Sequence, residues 1–196
     1  MQQRQKTVWY TTYSSPLGKI ELAATERGLV RVDFGRNCSR SLLLKELYNQ
    51  YPTYSVKENP VPFRNIKKWL DNYFSGKKVS LISSNITFDF HVGTKFQQSV
   101  WKALCRIPYG QVRSYKWVAE QIGNPKSVRA VGQANGRNPI PILVPCHRVI
   151  NADGSIGGYS GGLDFKRKLL AIEDIKINAK CQNPIRLRRT NKFQIA

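Results

Sequence analysis

The residue pair best suited to covalent chemistry in this sequence is Cys146 followed by His147. A cysteine becomes a strong nucleophile when a neighbouring base or positive charge favours its thiolate, and His147 and Arg148 both provide such a neighbour. Because adjacent residues do not ordinarily aim their side chains at each other, we expect His147 to act through a bridging water. A buried, unreactive thiol is the alternative for any single cysteine.

The segments on either side of this pair favour a reactive site over an unreactive thiol. Three prolines within residues 138–145 stiffen the chain and remove backbone donors. Residues 154–162 form a loop with little side-chain bulk apart from Tyr159. Such a loop can bring backbone amides close to a ligand or move as a lid, and a plain surface linker is the alternative. A final helix ends at Glu173, whose carboxylate could orient His147 and complete a Cys–His–Glu relay.

Two short predicted helices precede this segment. Ser114 is placed to cap the first, and the second is predicted from 124–125 through about Gln133. Two short helices joined by a turn that contains glycine are typical of a helix-turn-helix, although ordinary helical packing gives the same pattern. The second helix has one long basic side chain, Arg129, among small residues. Either the helix packs tightly within the protein and Arg129 is solvated, or the helix lies in a groove of a partner and Arg129 reaches into that partner. The residues that we expect at its contact surface are Ser127, Arg129, Ala130 and Gln133.

The first third of the chain predicts a meander of three strands separated by turn sequences, followed by two helices. The strands are predicted at 8–13, 19–24 and 29–34. The second helix begins near Pro62, and its aromatic residues are expected to belong to the core rather than to a binding stripe. The first helix is expected to bury one face, made of Leu44, Leu47, Tyr48 and Tyr51.

A second unit follows a connection at 79–93 and opens with a capping box at 94–97. We therefore predict an α+β protein. A small three-stranded sheet with helices forms an amino-terminal structural domain at 1–85. A mainly helical domain at 86–175 contains the helix-turn-helix and the cysteine, and a basic tail occupies 176–196.

The charge of the chain favours a polyanionic partner. The 196 residues include 32 Lys and Arg against 12 Asp and Glu, a formal net charge of +20. Such an excess favours nucleic acid or an acidic membrane surface. No apolar run approaches the ~18 residues that cross a bilayer, and the polar start lacks the apolar stretch of a secretory signal. We therefore expect an intracellular protein, in the cytoplasm or in the nucleus of a eukaryote, without a membrane partner.

Cysteine and histidine usage does not indicate a metal or a disulfide framework. The four cysteines stand far apart without a Cys-x-x-Cys pair, and there are two histidines. A structural zinc site needs about four such ligands at tight spacing. We expect no metal site.

The motifs of the second unit resemble those of the O6-alkylguanine-DNA alkyltransferases, a family of DNA repair proteins that act once. The resemblance spans 94–173 and is strongest at 145–149, the sequence Pro-Cys-His-Arg-Val. The other segments that carry it, in family order and spacing, are 108–110, 114–115, 123–125, 129–132, 138–141, 159–162 and 169–173.

The resemblance implies that Cys146 attacks the alkyl carbon on O6 of guanine in double-stranded DNA and keeps it as a thioether, without a cofactor. It implies that His147, held by Glu173, takes the thiol proton through a water, and that Tyr115 protonates the departing base. It also implies that Arg129 fills the space left in the base stack after base flipping, and that Ala130 allows close approach to the minor groove. Tyr159, Ser160 and the Val149 backbone would line the base pocket, and Asn138 would brace the turn that carries the cysteine. We expect a monomer.

Three alternatives use the same features. A helix-turn-helix regulator explains the charge but not the sequence at 145–149. A non-catalytic damage sensor keeps Arg129 and Tyr115 but typically lacks the cysteine. A thiol hydrolase uses Cys and His but does not require so basic a surface. The chain also departs from the family pattern, because Asp174 stands where a glycine is usual.

Overall fold

The computed structural model describes residues 5–35, 38–81 and 83–176, and its amino-terminal unit is built on a four-stranded sheet. The strands are β1 (Thr7–Ser15), β2 (Gly18–Thr25), β3 (Gly28–Phe34) and β4 (Ser55–Glu58), in the order β3-β2-β1-β4. The three predicted strands are present and antiparallel. The short β4, which the sequence analysis did not predict, pairs in parallel with β1.

Two helices cover the two faces of this sheet. Helix α1 (Arg40–Gln50) packs on one face, and α2 (Arg64–Phe74), which follows a 3-10 turn at Val61–Phe63, packs on the other. The predicted apolar face of α1 was partly wrong. Leu43 is buried together with Leu47, whereas Leu44 is half-buried and Tyr48 is exposed. The four-residue spacing from Leu43 to Leu47 and Tyr51 faces the sheet, so Tyr48 points away from it.

The carboxy-terminal unit is mainly helical, as predicted. Its helices are α3 (Lys95–Leu104), α4 (Tyr115–Gln121), α5 (Val128–Gly136) and α6 (Leu163–Ile172). Two short strands, β5 (Arg113–Ser114) and β6 (Val149–Ile150), pair in parallel between them. Thr94 and Gln97 form the predicted capping box of α3, and the Ser114 hydroxyl accepts the Trp117 amide at the start of α4. These caps fix where both helices begin.

Helix α5 begins later than the sequence predicted. Residues 124–127 form a turn, closed by the amide of Ser127 on the carbonyl of Asn124 at 3.0 Å. The residue before a proline is disfavoured in helical conformation, so Pro125 keeps Asn124 out of the helix. Helices α4 and α5 nevertheless follow one another in helix–turn–helix order and pack together, and α5 also packs against α3.

The two units share one continuous hydrophobic core and are also joined by backbone hydrogen bonds. In β3 the amide of Val32 donates to the carbonyl of Pro139 at 2.9 Å, and the amide of Leu29 donates to Thr87 at 2.9 Å. The sheet therefore braces the segment that leads to Cys146. Across the described residues, no helix combines the length and apolar character needed to span a membrane. Beyond Lys176, the predicted basic tail lies outside those residues.

Candidate active site

Cys146 begins a 3-10 turn, Cys146–Arg148, between α5 and β6, and it is 2% exposed. Asn138 holds the approach to this turn. Its side-chain amide donates to the carbonyl of Val144 at 2.8 Å, and its oxygen accepts the amide of Ile140 at 3.0 Å. Ile142, between these partners, has a φ of 74°, a left-handed conformation that is rare for a β-branched residue. The segment before the cysteine is thus held in one strained shape.

His147 and Glu173 form the hydrogen bond that the relay hypothesis required. The Nε2 of His147 lies 2.7 Å from Oε1 of Glu173, and both side chains are fully buried. The other ring nitrogen, Nδ1, is buried without a hydrogen-bond partner among the described residues. Because the Glu173 carboxylate accepts a hydrogen bond from Nε2–H, the neutral imidazole carries its lone pair on Nδ1. That nitrogen is therefore the basic atom of the ring.

Arg148 anchors Glu173 from the same turn. Its Nε lies 2.8 Å from Oε2 of Glu173 and its Nη2 lies 3.1 Å from Oε1, while Nη1 donates to the carbonyl of Ile107 at 2.7 Å. The amide of Gly110 also donates to Oε2, at 3.1 Å. Burial acts to raise the pKa of Glu173, but the bonds and charges of His147 and Arg148 outweigh it and lower the pKa to about 2. The carboxylate stays ionised.

Burial favours the uncharged forms of both His147 and Cys146. Burial lowers the pKa of His147 below its usual value, although Glu173 opposes this effect. Burial raises the pKa of Cys146, opposed by Asn138 and by the positive charge of Lys166. A neutral imidazole next to a protonated thiol is the arrangement in which a base must remove the proton before attack.

Lys166 is a site residue that the sequence analysis missed. It lies in α6 with no exposed surface, and its ammonium donates to the carbonyls of Val149 and Ile156. Burial lowers its pKa to about 8. The available signal was its place on the apolar face of α6, one turn before Leu169 and Leu170, where a lysine is unusual.

A cavity of about 510 Å³, within the range of small-molecule sites, is lined in part by Asn135, whose side-chain amide donates to the carbonyl of Cys146 at 3.4 Å. A negative charge on Cys146 would raise the pKa values of both Tyr115 and Tyr159, in addition to the effect of their burial, so these two cavity walls lie close to the sulfur. The Tyr159 hydroxyl is buried without a partner among the described residues. The cavity is lined by Tyr115, Val128, Gly132, Asn135, Gly136, Asn151, Gly158, Tyr159 and Ser160.

Gly157, in the small-residue loop at 154–162, allows this loop to approach Tyr115 closely. A Cβ at that position would stand 3.2 Å from the hydroxyl oxygen of Tyr115, and its φ is 66°. Only glycine combines that conformation with such contact at little cost. The loop therefore packs against Tyr115, as a plain surface linker would not.

Helix α5 presents its small and basic residues at the mouth of the cavity. Arg129, Ala130 and Gln133 are exposed, while Ser127 is half-buried and donates its hydroxyl to the carbonyl of Asn124 at 2.7 Å. Arg129 forms no ion pair with any described residue. Since Val128, Gly132 and Gly136 of the same helix line the cavity, a molecule that lay along α5 would have the cavity directly below it.

Of the predicted site residues, the structure joins His147 to Glu173 and places Tyr115 and Tyr159 close to Cys146. Ser160 lines the cavity and is exposed, whereas Val149 is buried with its carbonyl bonded to Lys166. In the part of the chain that the structure describes, no three His, Cys, Asp or Glu side chains converge as a metal site would require.

Two family models match the chain in succession. Residues 8–87 match the ribonuclease-like domain of 6-O-methylguanine DNA methyltransferase, and residues 95–175 match its DNA binding domain. The methylated-DNA–protein-cysteine methyltransferase of Methanosarcina barkeri is 45% identical over 170 residues, which cover 85% of this chain and 98% of that protein. The enzyme of the same name from Mycolicibacterium paratuberculosis is 44% identical over 84% of this chain and 91% of its own length.

Solved structures show the same fold. The Mycobacterium tuberculosis OGT in complex with DNA has a TM-score of 0.70 and 40% identity, covering 90% of this chain and 95% of that one. The O6-methylguanine-DNA methyltransferase of Pyrococcus kodakaraensis has a TM-score of 0.61 and 26% identity, covering 85% and 99%. With the bonded pair His147 and Glu173 directly after Cys146 in the fold, and with a fold and sequence shared over most of its length, the chain belongs to the methylated-DNA–protein-cysteine methyltransferase family.

Proposed function

We propose that this protein repairs O6-alkylguanine in double-stranded DNA by transferring the alkyl group irreversibly to Cys146. The observation that carries the proposal is the state of His147. Its Nε2 lies 2.7 Å from Oε1 of Glu173, and its basic Nδ1 is buried without a partner among the described residues, one position after Cys146 in the chain. A histidine that only filled the core would have no need of an ionised carboxylate and a free basic nitrogen.

The transfer has one bond formed and one broken. The proton of the Cys146 thiol passes through a water to Nδ1 of His147, and Glu173 stabilises the resulting imidazolium. The sulfur then attacks the alkyl carbon, forming a C–S bond while the bond from carbon to O6 breaks. The electron pair of the broken bond goes to the guanine, which takes a proton from the Tyr115 hydroxyl and leaves neutral. The product thioether is stable, so each molecule acts once.

Tyr115 is suited to its role because burial keeps it protonated. Its pKa is raised above the ordinary value by burial and by the neighbouring Cys146. It also lines the cavity in which we place the extruded base. A phenol that stays protonated is able to donate to a base that gains electrons during the reaction.

The alkyl carbon is out of reach inside a duplex, so the nucleotide must leave the stack at a cost of a few kcal/mol. We propose that Arg129 on α5 enters the vacated space and offsets part of that cost. Ala130, Ser127 and Gln133 allow α5 to approach the minor groove, and Tyr159, Ser160 and the Val149 backbone hold the guanine. The domain boundaries at 85 and 175, action as a monomer and work in the cytoplasm or nucleus are further parts of this proposal.

The function is tested by mass spectrometry after incubation with excess duplex that contains O6-methylguanine. We expect a stoichiometric gain of one methyl group, located on Cys146 and lost in Cys146→Ala. Cys105→Ala is the matched control, because the pKa of that half-buried thiol is raised to about 12 and it should not react. Binding without any gain of mass would favour the damage sensor or the regulator, and release of product with turnover would favour a hydrolase.

A further inference from the structure

Tyr73 brings a side chain of the amino-terminal unit into the buried relay. It lies in α2 with no exposed surface. Its hydroxyl donates to Oε1 of Glu173 at 3.0 Å and stands 3.4 Å from Nε2 of His147. Every step of the proposed transfer uses residues of the carboxy-terminal unit, so this contact has no part in it so far.

The carboxylate of Glu173 is fully used by its donors. Oε2 accepts from Nε of Arg148 and from the amide of Gly110. Oε1 accepts from Nε2 of His147, from Nη2 of Arg148 and from Tyr73. A carboxylate offers about four lone-pair positions, and five donors converge on this one. The imidazole therefore shares Oε1 with a phenol that competes for the same negative charge.

Tyr73 is held in place for this contact. Its ring is stacked on Trp69, with centroids 5.4 Å apart and planes 6° apart, and packs edge-on against Phe74. A buried phenol is costly unless it is hydrogen-bonded, and Glu173 is its closest acceptor. Burial and the neighbouring carboxylate raise the pKa of Tyr73 well above its ordinary value, so it always donates.

We infer that Tyr73 is a positioning residue for the proton relay, whose hydroxyl competes with the imidazole for Oε1 of Glu173 and thereby limits the basicity of His147. The inference rests on the proposed function, since it concerns the base that accepts the thiol proton. Without the phenol, Oε1 acts on the imidazolium more strongly and stabilises its charge. The titratable and charged groups that face His147 and Glu173 are Tyr73 from α2, Tyr109 from the loop after α3, Cys146 and Arg148 from the turn, and Lys166 from α6.

Tyr73→Phe tests the inference through the pH dependence of single-turnover methyl transfer. We expect the acid limb of the profile to move to higher pH by about half a unit, so that the rate below the midpoint falls about three-fold while the plateau changes little. Tyr109→Phe is the matched control. Its hydroxyl joins the same two units but donates only to the carbonyls of Ile172 and Gly76, so its profile should match that of the wild type.

A second variant keeps the packing and should shift the acid limb in the opposite direction. Site-specific 3-fluorotyrosine at position 73 is a stronger donor in nearly the same volume, and it should move the acid limb to lower pH. This variant also decides the matter if Tyr73→Phe does not fold. A lower melting temperature with an unmoved acid limb in both position-73 variants would reduce Tyr73 to a structural residue and overturn the inference.

Titration of the His147 ring by NMR separates this inference from the proposed function. The chain has two histidines, and His91, whose ring is hydrogen-bonded to Asp89, serves as internal reference. The midpoint of His147 should rise in Tyr73→Phe while that of His91 stays. If the wild type gains no methyl group, the proposed function fails, yet this titration still supports or contradicts the coupling between Tyr73 and His147.

Discussion

The ammonium of Lys166 lies 2.6 Å from the carbonyl oxygen of Val149, inside the molecule. The same nitrogen bonds the carbonyl of Ile156, so α6 is tied both to the strand after Cys146 and to the small-residue loop. We propose that the Val149 backbone reads guanine. A carbonyl has two lone pairs, and Lys166 takes one of them while it fixes the direction of the other.

Lys166 should make stability rise with pH. Its pKa is about 8 in the folded protein against an ordinary 10.5. Between these values the unfolded chain binds a proton that the folded chain has lost, so the free energy of unfolding increases with pH by about 1.4 kcal/mol per unit, or about 3 kcal/mol in all. Urea unfolding of wild type and Lys166→Met from pH 7.5 to 10.5 measures the difference, because other groups titrate in both. A difference that does not change with pH would show that Lys166 is not perturbed.

Glu173 should also make stability rise with pH, but in the acid range. Its pKa is lowered from 4.5 to about 2, so its contribution is present above pH 4.5 and is lost as the pH falls from 4.5 to 2. Glu173→Gln leaves the guanidinium of Arg148 buried without its carboxylate, at a cost of about 3–5 kcal/mol near neutral pH. The difference in the free energy of unfolding between the wild type and Glu173→Gln, measured from pH 2 to 7, should become smaller as the pH falls. Asp164→Asn, which removes an exposed partner of Arg167 on the same helix, should change little.

The features that could be predicted from the sequence are those that depend on residues close together in the chain. Helix caps at Thr94 and Ser114, the order of strands in the meander and the Cys146–His147 pair are local patterns, and the structure contains them. The bond from His147 to Glu173 was a possibility that the residues left open and that the family resemblance implied, and the structure contains it.

Contacts between distant parts of the chain were not predictable in this way. Tyr73 was assigned to the core by its helical spacing, and nothing in that spacing shows that its hydroxyl meets a carboxylate 100 positions later. The place of Lys166 on the apolar face of α6 is visible in the sequence, but the partners that allow its burial are not. Its burial follows from two carbonyls that only the folded loop presents. Polar residues inside a core are the ones for which pattern analysis fails, because their partners are set by tertiary structure.

Asp174 offers a test of how Glu173 is held. Helix α6 ends in a Schellman motif, in which the amide of Ile175 donates to Leu170 at 2.9 Å and that of Asp174 donates to Ala171 at 3.1 Å. Asp174 itself has a φ of 57°, which accounts for the glycine usual there in the family. Asp174→Gly should therefore stabilise the protein by about 0.5–1 kcal/mol, and thermal unfolding measures it.

Asp174→Ala separates this effect from the loss of charge. Alanine removes the same carboxylate but tolerates the left-handed conformation worse than aspartate does. The alanine variant should therefore melt below the wild type, and the glycine variant above it. Equal shifts in the two variants would assign the effect to the charge and not to the backbone.

Loss of Arg129 should slow methyl transfer from duplex DNA more than transfer from a single-stranded substrate. Arg129→Ala is expected to slow methyl transfer from a duplex by roughly ten- to hundred-fold, equivalent to about 1–3 kcal/mol, because the vacated stack is no longer filled. Transfer from a single-stranded oligonucleotide needs no extrusion and should fall much less. Lys45→Ala, which removes one exposed charge from α1, is the control for electrostatics alone. Equal losses on both substrates would contradict the intercalation role.

Alkylation should weaken the fold. Cys146 is 2% exposed and is not among the residues that line the cavity, although two of those residues, Tyr115 and Tyr159, lie close to it. An added methyl group must be accommodated in a close-packed site whose backbone is fixed by Asn138 and Asn135. Overpacking of this kind costs about 1–3 kcal/mol, which corresponds to a fall of several degrees in melting temperature for a chain of this length, at roughly 2–4 °C per kcal/mol.

Calorimetry before and after reaction with methylated duplex, with the DNA removed, measures this fall. Cys146→Ala taken through the same incubation controls for residual DNA, and its midpoint should not move. A methylated protein that melts at the same temperature as the free one, or higher, would mean that the site already contains room for the product. The chain would then have no structural signal to distinguish a spent molecule from an active one.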